Sequence, residues 1–116
     1  MVDADDVRAV ARTLPRSEEH LVRDRVKFRV GRLVYAALSR DETVLGFAYP
    51  KDERDALVAS DPETFLPPEP VDVRYNWVRV RLDRLDQAEL EELLTDAWRM
   101  CVPKYVQRAY DESRTS

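Results

Sequence analysis

The chain reads as an α+β fold, an antiparallel sheet with helices packed against it. Amphipathic helical stripes lie near both ends, alternating apolar and polar runs fill the middle, and tight turns rather than long crossovers separate the first of those runs. With 116 residues there is room for one two-layer core. The expected organisation is a single domain over residues 1–112, followed by a polar tail, 113–116, that frays.

The elements follow in order. Val7, Val10, Ala11 and Leu14 recur at helical spacing, with Asp3 placed to cap the start and Pro15 just past the end. Val26 to Val30 alternates, with Val26, Phe28 and Val30 on one face and Lys27 and Arg29 on the other. Gly31 and Arg32 turn the chain into Leu33 to Leu38, and Arg40 to Glu42 turn it again into Val44 to Tyr49, a three-strand antiparallel meander. A short helix is expected over Lys51 to Ser60, with Ala56, Leu57 and Val58 as its apolar positions. Pro62, Pro67, Pro68 and Pro70 then force a long loop, because proline fits neither a helix interior nor a central strand. Asn76 to Leu82 alternates again, with Val78, Val80 and Leu82 inward and Trp77, Arg79 and Arg81 outward, and Val71 to Arg74 is a candidate strand beside it.

The clearest local signal is the next helix start. Asp86 caps, Glu89 completes a variant capping box, and Leu85 and Leu90 form a hydrophobic staple. Leu90, Leu93, Leu94, Ala97, Trp98 and Cys101 continue as one stripe that packs on the sheet. Pro103 kinks or restarts the helix, and Tyr105, Val106, Ala109 and Tyr110 make a further short stripe.

Composition excludes several classes. Apolar residues at 44% rule out a disordered chain, and no apolar run approaches the length of a membrane span. Met1 to Arg12 is acidic and amphipathic, unlike a secretion signal, so a cytoplasmic location is expected. One cysteine and one histidine give neither an internal disulfide nor zinc-site spacing, and no metal or cofactor is expected. Two glycines, Gly31 and Gly46, cannot build a phosphate-cradling loop. Glu18, Glu19 and His20 form the one carboxylate–imidazole cluster, read as a polar surface loop with nothing to orient the imidazole. Cys101 falls late on the apolar stripe of a helix, where a thiol is buried and inert. No enzyme is expected.

Charge is sorted by element. Arg25, Lys27, Arg29, Arg32 and Arg40 lie in a stretch without an acid, as do Arg74, Arg79 and Arg81, although the net charge is −4. An open sheet face built from these strands would be basic, and Trp77 among the arginines could stack on a base. The candidate interface is therefore Lys27, Arg29, Arg32, Arg74, Trp77, Arg79 and Arg81. The bland alternative is a solvated strand face whose long aliphatic stems cover the sheet. A third possibility is that the proline loop or a second subunit covers the indole.

Phe28-Arg29-Val30-Gly31-Arg32-Leu33-Val34-Tyr35-Ala36, Ala59 to Phe65, Trp77 to Asp83, and Leu90 to Trp98 followed by Val102-Pro103-Lys104 resemble, as an ordered set, the MmcQ/YjbR family of small, mostly bacterial proteins. The resemblance covers nearly the whole chain. It implies a two-layer α+β fold of the YjbR-like, secretion-chaperone-like kind, in the order α-β-β-β-α-β-β-α with helices on one face of an antiparallel sheet. It also implies DNA binding, which on an acidic chain would be weak and carried by phosphate contacts. Asn76 and Arg23-Asp24-Arg25 stand where members of the family often have glycines. The partner classes are thus DNA, or a protein, a second copy of this chain included; no membrane partner is expected.

Overall fold

Two acidic capping boxes hold the helix starts that precede and follow the sheet in sequence. The Asp6 N–H donates to the Asp3 carboxylate at 3.1 Å and the Asp3 N–H donates to the Asp6 carboxylate at 2.9 Å, opening α1 (Ala4–Thr13). The Glu89 N–H donates to Asp86 at 2.8 Å and the Asp86 N–H donates to Glu89 at 3.2 Å, opening α3 (Gln87–Arg99). The computed structural model describes residues 1–115.

Between them the chain forms a six-stranded antiparallel sheet in the order β1-β2-β3-β4-β6-β5. The strands are β1 (Ser17–Val22), β2 (Arg25–Val30), β3 (Leu33–Leu38), β4 (Val44–Ala48), β5 (Phe65–Leu66) and β6 (Trp77–Arg81), with α2 (Lys51–Ser60) between β4 and β5. The two-layer α+β class holds. α1 and α3 cover one face, and a continuous core joins Val7, Val10 and Leu14 of α1 to Phe28, Tyr35, Leu45, Phe47, Val78 and Val80 of the sheet and to Leu90, Leu94 and Trp98 of α3. The Trp98 indole is fully buried and its Nε1–H donates to the Pro15 carbonyl at 2.8 Å, tying α3 to the end of α1.

Several elements differ from the sequence reading. The meander has four strands, because Ser17–Val22, read as a loop, pairs along all of β2. Arg23 and Asp24 both adopt positive φ, 51° and 67°, so this hairpin closes through a primed-type turn without the glycine that normally marks one. Val71 to Arg74 does not form a strand; Pro70–Asp72 is a single 3-10 turn, and the short β5 takes the edge beside β6. The inward residue of α2 is Arg54; Ala56 is exposed, and Leu57 and Val58 are half-buried. Pro103 restarts the helix as α4 (Lys104–Thr115), with Val106 and Tyr110 buried and Tyr105 and Ala109 exposed. The tail expected to fray is helical through Thr115, and Ser116 lies outside the described residues.

Arg54 is only 7% exposed. Its guanidinium donates to the carbonyls of Val73 (3.0 Å), Tyr75 (3.1 Å) and Trp77 (3.2 Å). These bonds supply the donors that the segment entering β6 lacks. Asn76 works from the other side: its Oδ1 accepts from the Lys51 N–H at 2.9 Å, capping α2, whose N-cap residue Pro50 offers no side-chain acceptor. Asn76 is thus a helix cap.

Candidate nucleic-acid interface

Alternation sends every second residue of the strands away from the helices. Strand register aligns His20, Lys27, Ala37, Gly46, Arg79 and Leu66 as one row across all six strands on that open side. Its centre is small: Ala37 and Gly46 leave a trough. The Trp77 indole lies against Gly46 so closely that a Cβ there would stand 2.7 Å from Nε1. Only glycine admits the indole at that height, which explains a glycine in the middle of a central strand.

The trough deepens into a hollow of about 470 Å³ floored by Ala37, Gly46 and Trp77. Arg25, Arg40 and Asp41 stand on one side, and Arg79, Glu69 and Asp72 on the other. Asp41 uses a single oxygen, Oδ1, to accept from Ser39 Oγ (2.7 Å), Thr43 Oγ1 (2.8 Å) and the Thr43 N–H (3.2 Å). Those bonds hold its carboxyl below the usual carboxylate range, and among the described residues no other residue donates to its second oxygen.

Residues 12–100 match the model of the YjbR family. The chain belongs to this family. The crystal structure of the Deinococcus radiodurans protein DR2400, described by the family-model domain DUF419, has the same fold, with a TM-score of 0.77 at 24% identity over 96% of this chain and 89% of that one. No curated protein matches the chain.

In this YjbR-family protein the predicted interface residues divide. Lys27, Trp77, Arg79 and Arg81 share the open face, with Arg81 paired in register to Val44 and Trp77 to Ala48. Lys27, half-buried, and Arg81, exposed, make no ion pair among the described residues. Arg79 is engaged: its Nε–H donates to the Pro67 carbonyl at 2.8 Å and its Nη1 to Glu69 at 3.0 Å, which straps the proline loop over the edge of the sheet. Arg29 lies one row away opposite Glu18 in register, and its Nε is buried without an acceptor. Arg32 sits in the β2–β3 turn, off the face. Arg74 is in the loop before β6, its guanidinium 4.9 Å from the centre of the Tyr75 ring and donating to the Tyr75 hydroxyl at 2.8 Å.

Two basic residues absent from the predicted set help line the hollow, Arg25 and Arg40. The signal for Arg25 was present, since it stands two residues before Lys27 and so shares its face. Arg40 is a turn residue, placed by the fold alone. The acids were also underestimated. Glu18 and His20, read as loop, are strand residues on the open side opposite Arg29 and Lys27, and the Glu18 carboxylate lies 3.1 Å from His20 Nε2. Glu18, Asp41, Glu69 and Asp72 confine the positive surface to a strip rather than a whole face. Cys101 is half-buried, and burial pushes its thiol up, away from the ionised form. No helix is long and apolar enough to cross a membrane, and no group of side chains among the described residues is arranged to hold a metal ion.

Proposed function

We propose that this chain is a small, non-enzymatic cytoplasmic protein of the bacterial YjbR type that binds nucleic acid through the open side of its sheet. The observation that carries the reading is that Lys27 and Arg81, neither in an ion pair among the described residues, share with a half-exposed Trp77 the side of the sheet away from α1 and α3. Cations supply phosphate contacts and an indole supplies stacking. The acids along the strip restrict the number of phosphates engaged, so binding is weak and sensitive to salt.

The test is affinity for DNA measured against salt concentration, with Lys27→Glu and Arg81→Glu as variants. Arg79 is unsuitable because changing it also releases the proline loop. A linear fall of log affinity with log salt, and loss of binding in the double variant with unchanged unfolding behaviour, are the expected results. Affinity that ignores both salt and the double substitution overturns the reading.

A second reading has its own observation. Leu21 is 73% exposed on β1, an edge strand with one side unpaired, so a protein or a second copy of this chain could add there. Sedimentation of the wild type and of Leu21→Glu separates this case: a dimer that the substitution dissociates supports it, and a monomer rejects self-association.

A further inference from the structure

The open face differs from a duplex-reading surface in shape. Duplex DNA is read by a helix or two-stranded ribbon that projects into a groove. Here α1 and α3 lie on the opposite side of the sheet, and the β1–β2 ribbon carries Glu18 and Glu19. Between the Arg40–Asp41 turn and the proline loop the surface is concave, and the hollow there, about 470 Å³, is in the size range of small-molecule sites. Trp77 is part of its floor.

We infer that this hollow takes one unpaired base of a single-stranded nucleic acid, and prefers a base bearing an exocyclic amino group. The inference rests on the nucleic-acid reading of the same face. A flat base fits against the Trp77 indole in a site walled on two sides, whereas a stacked base pair inside a duplex cannot reach the floor. The strand's phosphates then run along the rim, past Arg25 and Arg40 at the edge of the hollow and Arg81 beyond it.

The amino preference comes from the acceptors in the walls. Among the described residues, no other residue donates to the second oxygen of Asp41, and the Asp72 side chain has no protein donor. Carboxylates accept from the amino groups of cytosine and adenine. Thymine and uracil have an exocyclic oxygen at the equivalent position, which a carboxylate repels. Glu69 is not counted, because its Oε1 already accepts from Arg79. Three cations and two carboxylates thus meet different parts of the ligand: arginines for phosphate, aspartates for the base edge.

The experiment compares oligodeoxycytidylate, oligodeoxyadenylate, oligothymidylate and a duplex of equal length at one low salt concentration, with the RNA counterparts run alongside to identify the sugar. Expected results are tighter binding of the cytosine and adenine strands than of thymine or duplex, and a weakening of about 10- to 100-fold in Trp77→Ala that Trp77→Phe largely restores. Asp41→Asn with Asp72→Asn removes the base preference while leaving thymine binding unchanged or improved. Equal binding of duplex and single strand that is salt-sensitive and indifferent to Trp77 overturns this inference and leaves the phosphate-binding face standing. Absence of binding to every oligonucleotide overturns both.

Discussion

Strands β2, β3, β4 and β6 present alternate residues to two different environments, and the two faces differ in what holds their side chains. On the helix side Phe28, Tyr35, Phe47, Val78 and Val80 are packed until none is more than 1% exposed, and each is held by shape. On the open side the row narrows to Ala37 and Gly46, and the larger residues around it are held by charge, by a strapped loop, or by one close contact between an indole and a glycine. A core of the first kind specifies the fold. A surface of the second kind keeps a concavity at its centre, and that concavity is available to a ligand.

The largest difference between the faces is expected for their two tryptophans. Trp98→Ala empties a fully buried site and removes the hydrogen bond to the Pro15 carbonyl, at a cost of about 3–5 kcal/mol. Trp77→Ala, on the open side, costs about 1 kcal/mol, since the indole is half-buried on a surface without a second layer. Urea unfolding of the two variants measures both. Equal losses would mean that the open side is a second core and not a binding face.

Next comes pH. Tyr35 is buried in the core with its hydroxyl 2.6 Å from Ser17 Oγ, and burial pushes the phenol up to about 12 from an ordinary 10.0. Between those values the folded chain keeps a proton that the unfolded chain releases. The stabilisation is therefore complete below pH 10 and is lost as pH rises through 12, a decline of roughly 3 kcal/mol at full extent. Unfolding midpoints recorded across that window should fall for the wild type and stay flatter for Tyr35→Phe. An identical decline in the variant would place the alkaline sensitivity elsewhere.

Legibility in the sequence follows the same division. The Asp3 cap, the capping box of α3, the stripes of α1 and α3 and the alternation of β2 and β6 were readable because short-range periodicity and local hydrogen bonds determine them. β1 was not. Ser17–Val22 has no apolar alternation, because as an edge strand it is wet on most positions, and its turn uses Arg23-Asp24 where sequence rules look for glycine. Alternation made Lys27, Trp77, Arg79 and Arg81 legible as one side of the sheet, but not that Arg32 and Arg74 lie off it, and the charge balance was not legible, since Glu18, Glu69 and Asp72 arrive from elements whose positions depend on long-range pairing. Arg54 was the least visible of all: on an apparently solvated helix, only the folded chain shows the three carbonyls around it.

That arginine provides the third test, on the boundary between the faces. Arg54→Ala leaves the carbonyls of Val73, Tyr75 and Trp77 short of a donor and is expected to cost about 2–3 kcal/mol. Cleavage by a protease should concentrate in the segment from Asp61 to Asn76, whose entry into β6 those bonds secure. Stability lost without new cleavage in that segment would show that Arg54 supports the core instead of the loop.

The smallest effect is the most specific. Gly46→Ala adds a Cβ that would lie 2.7 Å from Trp77 Nε1 and 2.9 Å from Cε2 and Cζ2, so the indole has to lift. Overpacking of this kind costs about 1–3 kcal/mol, and replacing a strand glycine returns roughly 0.5–1 kcal/mol of backbone entropy, leaving a net loss of about 1 kcal/mol. The informative readout is fluorescence quenching by acrylamide: Trp77 becomes more accessible while buried Trp98 does not. Unchanged quenching would mean that the indole does not rest on Gly46, and the floor of the hollow would then be mobile. The helix-side face offers a control, because Ala97→Gly, at a fully buried position in α3, should lower stability without altering access to either indole. A substitution that moves one tryptophan and leaves the other still is the sharpest separation of the two faces, since both reside in one sheet-and-helix unit and differ only in which side they pack.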